Sequence, residues 1–217
     1  MNISILGGTG KEGAGLAVRW AQAGHDIVIG SRDAERARAK AGELVGHSAG
    51  TRIQGLGNRD AAAAADIVVI ALPANGLAAT LPEVREACRG KVVVSTVVPL
   101  TFGGGRLFTP PPQGSSAEEA QELLGAEARV VAAFHHIAAH ELSATEHDIE
   151  CDLLICGGDA EAKKQVSELG ASMGLRAVDV GVLTNAGPLE GITAVLATIN
   201  RRYKLKNSGI KITGLPG

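Results

Sequence analysis

The stretch ISILGGTGKEG, residues 3–13, decides the fold. Its first four residues form a short apolar run that is typical of a buried strand, and the glycines that follow fit the pattern GxGxxG from Gly8 to Gly13. Helical spacing of apolar residues from Glu12 to Ala23 predicts a helix that begins inside this glycine turn. A strand, a glycine turn and a helix in this order indicate the start of a dinucleotide-binding unit.

The glycines of this turn have separate physical roles. They permit a tight turn, the close approach of backbone N–H groups to a pyrophosphate, and close packing of the helix on the strand, while the helix N-terminus adds partial positive charge. The alternative is a glycine turn with a purely structural role. The position of the motif, directly after a strand and at the start of a helix, favours a bound nucleotide.

Short apolar runs recur along the chain and predict a doubly wound α/β (Rossmann) sheet, mostly parallel. The predicted later strands are Arg52–Gly55, Asp66–Ala71, Val92–Ser95, Arg129–Ala133, Asp152–Cys156 and Leu175–Val180. A surface loop containing Gly103-Gly104-Gly105 and a run of three prolines interrupts them. We expect residues 1–181 to form the dinucleotide-binding domain and residues 182–217 to form a small C-terminal lobe that ends in a strand, Gly209–Thr213.

The end of the second predicted strand indicates which nicotinamide cofactor is bound. An NAD site places an acidic residue there, whereas this chain has Gly30-Ser31-Arg32. Asp33 is better placed to cap the next helix. Arg32 and Arg36 lie one helical turn apart and, with the Ser31 hydroxyl, suit a 2′-phosphate, which favours NADP. The alternative is a solvated basic helix face.

The turns after the later strands are expected to line the substrate end of the sheet. They contain Leu72-Pro73, Val98-Pro99 and the segment Phe134-His135-His136-Ile137, and none supplies an obvious proton donor for carbonyl reduction. Hydride transfer between two cofactors needs no such group, because most of its rate comes from positioning. The histidines at 136, 140 and 147 could ligate a metal, but HExxH is absent and we expect none. His135 could instead be a buried residue without a chemical role.

Composition excludes several classes of function. The chain has 217 residues, 45% of them hydrophobic, a formal net charge of −2 and five aromatic residues, so neither a nucleic-acid-binding surface nor an aromatic cage is expected. Three cysteines without a CxxC pair, no basic leader and no long apolar run indicate a cytoplasmic protein that does not enter a membrane.

These motifs together resemble the family of coenzyme F420-dependent NADP oxidoreductases. The segments that carry the resemblance are Leu6 to Gly10, Gly30-Ser31-Arg32, Val94 to Pro99, Phe134 to Ile137 and Gly209-Ile210-Lys211. It covers nearly the whole chain and implies hydride exchange between NADPH and the deazaflavin coenzyme F420, without a metal. This enzyme activity requires two small-molecule cofactors as substrates and no macromolecular partner.

The resemblance also implies roles for individual residues. It implies that Thr9, Ser31, Arg32 and Arg36 contact the 2′-phosphate region, that Gly8, Gly10, Lys11, Glu12 and Gly13 line the pyrophosphate turn, that Leu72, Pro73 and Val98 border the nicotinamide, and that His135, Ile137 and Asn185 lie beside the deazaflavin. His135 is the one residue assigned to the catalytic centre.

Two other functions fit the same motifs. One is an NADPH-dependent reductase of an imine or quinone, which would use Glu190 or Tyr203 as proton donor, and the other is a regulatory protein that senses NADP without turnover. The stripe of apolar residues from Leu189 to Ile199 packs either on its own sheet or on a second subunit, and we expect a homodimer.

Overall fold

The computed structural model describes residues 1–47, 50–103 and 105–215, so Gly104 of the predicted loop lies outside the described residues. The strands are β1 (Asn2–Leu6), β2 (Asp26–Ser31), β3 (Ile53–Gly57), β4 (Ile67–Ile70), β5 (Val92–Ser95), β6 (Arg129–Ala132), β7 (Asp152–Gly157) and β8 (Arg176–Asp179). They form one sheet in the order β3-β2-β1-β4-β5-β6-β7-β8. The predicted doubly wound sheet is confirmed.

Helices cover both faces of the sheet. They are α1 (Lys11–Gln22), α2 (Ala34–Leu44), α3 (Asn58–Ala63), α4 (Leu77–Cys88), α5 (Ser116–Leu124), α6 (Ala139–Ser143), α7 (Ala160–Ala171) and α8 (Ala186–Tyr203). One apolar core joins α1, α2 and α7 to one face, and the other joins α3, α4, α5 and α8 to the opposite face. The central strands are hydrophobic without alternation because both of their faces are buried.

The sheet reverses direction once. β6 and β7 pair antiparallel, whereas the other neighbouring strands pair parallel. The link between β6 and β7, residues 133–151, contains one helix, α6, which has five residues and packs on α1. The expectation that parallel alternation continues into Asp152–Cys156 is therefore wrong.

The predicted strand Gly209–Thr213 is also wrong, because this segment has no strand structure. It runs past the start of β7, where the Asp152 N–H donates to the Ile210 carbonyl at 2.8 Å and the Ile212 N–H donates to the Asp152 carboxylate at 2.6 Å. A Cβ on Gly209 would lie 2.8 Å from the Cys151 Cβ. The tail is thus held by a backbone hydrogen bond and by the side chains of Asp152 and Arg176, whose guanidinium donates to the Ile212 carbonyl at 2.8 Å, rather than by a ladder.

Among the described residues, no helix is both long and apolar enough to cross a bilayer.

Candidate functional site

The glycine turn between β1 and α1 has the geometry that its sequence predicts. Gly7 has φ of +79°, and a Cβ there would lie 2.5 Å from the Ala71 carbonyl oxygen. A Cβ on Gly13 would lie 2.7 Å from the Gly8 Cα, so this glycine permits the close packing of α1 on the turn. By contrast, a Cβ on Gly10 meets nothing closer than 3.4 Å, because its outer side faces the cleft. The turn therefore leaves room for a ligand above the N-terminus of α1.

A cleft of about 780 Å³ opens above this turn. Its lining includes ten of the residues singled out from the sequence: Thr9, Gly10, Lys11, Glu12, Gly13, Ser31, Arg32, Arg36, Leu72 and Pro73. Gly8 lies beneath the floor, and its N–H donates to the Ile5 carbonyl at 3.0 Å. The cleft thus joins the carboxyl ends of β1, β2 and β4, which is where a doubly wound sheet binds its ligand.

The basic end of the cleft has two arginines without acidic partners. Arg32 and Arg36 are exposed, and neither forms an ion pair within the described residues, whereas Arg38 pairs with Glu35 and Lys40 pairs with Glu43. Asp33 does not oppose them as a free carboxylate, because its Oδ1 accepts the N–H groups of Glu35 and Arg36 at the start of α2. Guanidinium groups without an acidic partner, lining the same cleft as Ser31, have the chemistry that suits a phosphate.

Asn58 is a lining residue that sequence reasoning missed. It begins α3 directly after β3, is 6% exposed, and neither its Oδ1 nor its Nδ2 has a hydrogen-bond partner in the described structure. A buried amide without a partner is costly, so the vacant donor and acceptor are suited to a ligand in the cleft. In the sequence, only its position directly after the third strand, in an Asn-Arg-Asp segment, could have indicated that it lines the cleft.

Glu12 introduces a carboxyl group into the same cleft. It lies in the first turn of α1, and its Oε1 is fully buried with no hydrogen-bond partner. Burial raises its pKa to about 7, against the opposing effect of a hydrogen bond with the Thr96 hydroxyl. This group is therefore close to half-protonated at neutral pH.

The turn after β6 is buried and strained. Phe134 adopts φ of +65°, which is uncommon for a bulky residue. His135 is 5% exposed, and neither of its ring nitrogens reaches a partner with ordinary geometry in the described residues. Burial lowers the His135 pKa to about 3, so the ring is uncharged at neutral pH. The backbone that carries it is fixed, because the Thr193 hydroxyl donates to the His135 carbonyl at 3.0 Å.

Besides Gly8, four of the predicted site residues do not line the main cleft. Val98 and His135 are not among its lining residues, and Ile137 lines a separate cavity of about 260 Å³ next to the C-terminal tail. Asn185 is exposed, and its Nδ2 donates to the Val180 carbonyl at 2.6 Å. Their assignment to the second ring stays a prediction.

The histidines considered as metal ligands make protein contacts instead. The His136 Nε2 lies 2.9 Å from the Asp152 carbonyl oxygen, and the His147 Nε2 lies 3.0 Å from a Glu141 carboxylate oxygen. Within the described ranges, no three His, Cys, Asp or Glu side chains come together as a metal site.

The two candidate proton donors of the alternative reductase lie elsewhere. Glu190 is 1% exposed, and its carboxylate accepts the Ser116 and Ala117 N–H groups at 3.0 and 3.1 Å, so that α8 caps α5. Tyr203 is 66% exposed at the end of α8. No observation favours either as a proton donor in the cleft.

The chain is similar over its whole length to proteins of one family of oxidoreductases. A family profile described as NADP oxidoreductase coenzyme F420-dependent matches residues 2–99. The F420-dependent NADP reductase of Methanocaldococcus jannaschii is 42% identical over 224 residues, covering 99% of both chains. That of Methanothermobacter thermautotrophicus is 39% identical, covering 100% of this chain and 96% of its own. A solved structure from Arthrobacter sp. FB24, 27% identical, covers 97% of this chain and 98% of its own with a TM-score of 0.83.

Proposed function

The chain belongs to the family of coenzyme F420-dependent NADP oxidoreductases, and on this premise we propose that it transfers a hydride reversibly between NADPH and coenzyme F420. The observation that carries the proposal is the extent of the similarity. It spans the whole chain, including the turn after β6 and α8, and is not confined to the dinucleotide-binding half. A shared nucleotide-binding domain alone would leave the second substrate open.

The NADP half of the proposal rests on the cleft. Backbone N–H groups above the N-terminus of α1 would hold the pyrophosphate, with Lys11 beside it. Thr9, Ser31, Arg32 and Arg36 would bind the 2′-phosphate region. These residues fit the cofactor, because the glycines at 7, 8, 10 and 13 keep side chains off most of the turn and the two guanidinium groups have no acidic partner in the described structure.

The second half of the proposal concerns the two rings. When both substrates are bound, the nicotinamide supplies a hydride to the deazaflavin, and one proton from solvent balances the reduction. The chain would position the rings and would supply no proton donor. Leu72, Pro73 and Val98 would contact the nicotinamide, and His135, Ile137 and Asn185 would contact the deazaflavin. Residues 182–217 would form the lobe that closes over the second ring. Positioning two rings in contact is then the source of the rate.

Absorbance spectroscopy tests the activity directly. Purified protein mixed with NADPH and oxidised F420 should bleach the visible absorbance of the deazaflavin, and NADH in a parallel cuvette should act much more slowly. Bleaching by neither nicotinamide, in a sample shown to bind NADPH by fluorescence, would reject F420 as the second substrate and leave the nucleotide site intact.

We also propose a cytoplasmic homodimer. Along α8, Leu189 and Leu196 are buried against the protein's own core, but Val195 is 58% exposed on the other side of the helix. That exposed side is the surface proposed to meet a second subunit. Light scattering at micromolar concentration should give twice the monomer mass for the parent protein and the mass of a single monomer for Val195→Glu. A monomeric parent protein would contradict the proposal.

A further inference from the structure

Glu12 lies on the side of the cleft away from the arginines. Its carboxyl group contacts Thr96, which directly follows β5, whereas Arg32 and Ser31 lie at the end of β2. In the sheet, β5 and β2 are on opposite sides of the switch point between β1 and β4. A dinucleotide anchored at β2 by its 2′-phosphate therefore extends its other end, the nicotinamide, toward Glu12.

Part of the cleft that Glu12 lines is apolar. The neighbouring cleft wall is formed by Ala71, Leu72 and Pro73. Thr96 is 2% exposed, and its hydroxyl donates to the Ile70 carbonyl at 3.1 Å. Burial in this apolar wall disfavours the carboxylate and explains why the group titrates near neutrality instead of near its usual value.

The other charged groups that line the cleft are Lys11, which precedes Glu12 on α1, and three residues at the end of β2 and the start of α2. Lys11 is exposed on α1, and Arg32, Asp33 and Arg36 stand at the β2 end of the cleft. His140 on α6 lines an adjoining cavity with Lys11. The Glu12 pKa is raised by burial and lowered by the Thr96 hydrogen bond. Its titration is therefore governed by these immediate surroundings.

We propose that Glu12 sets the relative affinity of the protein for oxidised and reduced NADP through the charge of its carboxyl group. The oxidised nicotinamide ring is a cation and the reduced ring is neutral, so a carboxylate beside the ring stabilises bound NADP⁺ and leaves NADPH nearly unaffected. Protonation of Glu12 removes this preference. The inference rests on the proposed binding of NADP in the cleft but not on the identity of the hydride acceptor.

The ratio of dissociation constants, Kd of NADPH over Kd of NADP⁺, measures this effect. If the nicotinamide cation lowers the Glu12 pKa by one unit, linkage raises the ratio about tenfold between about pH 5.5 and about pH 8.5. The 2′-phosphate titrates in both cofactors and cancels from the ratio. Glu12→Gln should hold the ratio at its low-pH value throughout, and Glu83→Gln, an exposed neutralisation on α4, should behave like the parent protein. Fluorescence titration with NADPH, and its displacement by NADP⁺, give both constants.

A ratio that rises equally in Glu12→Gln and the parent would overturn the inference while leaving NADP binding intact. Failure of the parent to bind either cofactor would overturn both proposals. A second measurement avoids any dependence on the variant's folding. Calorimetry of the parent protein at about pH 6.5, in buffers of different ionisation enthalpy, should show that NADP⁺ binding releases more protons than NADPH binding. Equal proton release would refute the role of Glu12.

Discussion

Removing one guanidinium from the basic end of the cleft should weaken NADPH binding without affecting NADH. The perturbation is Arg32→Ala. Arg32 is exposed at the carboxyl end of β2, where it has no acidic partner in the described structure, so its loss creates no unpaired charge within the protein. Since NADH lacks the 2′-phosphate, the change acts on the phosphate contact alone.

The magnitude follows from the exposure of Arg32. A unit charge pair at about 4 Å contributes about 4 kcal/mol near a protein surface but only about 1 kcal/mol in bulk water. Because this cleft is open to solvent, an intermediate value of about 2 kcal/mol is appropriate, within the range for hydrogen bonds to charged groups. At about 1.4 kcal/mol per tenfold change, Arg32→Ala should raise the Kd of NADPH about 30-fold.

Fluorescence titration with NADPH, and steady-state kinetics with NADPH and NADH, check this value. Arg38→Ala is the matched control, since Arg38 is also exposed on α2 but is already paired with Glu35. It should change the NADPH Kd by less than about twofold. If Arg32→Ala left the ratio of NADPH to NADH affinity unchanged, the assignment of the 2′-phosphate to this end of the cleft would have to be abandoned.

Three further substitutions test other parts of the structure. Asn58→Ala removes a buried amide that has no partner in the described protein, so it should raise the NADPH Kd about tenfold in fluorescence titration while leaving the thermal midpoint within about 2 °C. Arg19→Met should lower the free energy of unfolding in urea by about 3 kcal/mol, because Arg19 donates to the carbonyls of Glu141 at 2.8 Å and Ala144 at 2.5 Å; an unchanged midpoint would contradict this. Burial raises the Glu190 pKa from 4.5 to about 7, so the folded state binds more protons in that window and the free energy of unfolding should fall as pH rises through it. Glu190→Gln should flatten that fall, and an equally steep profile would exclude Glu190 as its source.

Local patterns were sufficient to predict the family, the sheet and the basic half of the cleft. The glycine turn has a recognisable spacing because backbone contacts forbid Cβ atoms at Gly7 and Gly13. The Ser31-Arg32 pair could be recognised as part of the cleft because it stands at the carboxyl end of the second strand, which faces the ligand in a doubly wound sheet. In both cases a few adjacent residues carry the information.

Contacts between distant segments could not be predicted in the same way. Glu190 resembles an exposed helix residue in sequence, yet it caps α5 through Ser116, 74 positions earlier. Arg19 resembles a solvated residue of α1, but it is 8% exposed and binds the carbonyls around α6. The antiparallel pairing of β7 with β6 is another such feature, because an apolar run does not reveal the direction of its strand. These features arise only when the elements pack together.

The distribution of charge along the cleft explains how one site can serve both directions of hydride transfer. At the proposed adenosine end, the guanidinium groups of Arg32 and Arg36 would anchor NADP⁺ and NADPH equally through the 2′-phosphate that both share. At the nicotinamide end, the wall of Leu72 and Pro73 is neutral. His135, predicted to lie beside the second ring, is also uncharged near neutrality because burial lowers its pKa to about 3. A fixed cation there would oppose the oxidised ring and bias the reaction toward bound NADPH. With the two arginines confined to the anchoring end, the balance between the two redox states is left to Glu12, a carboxyl group of the same cleft whose pKa burial raises to about 7.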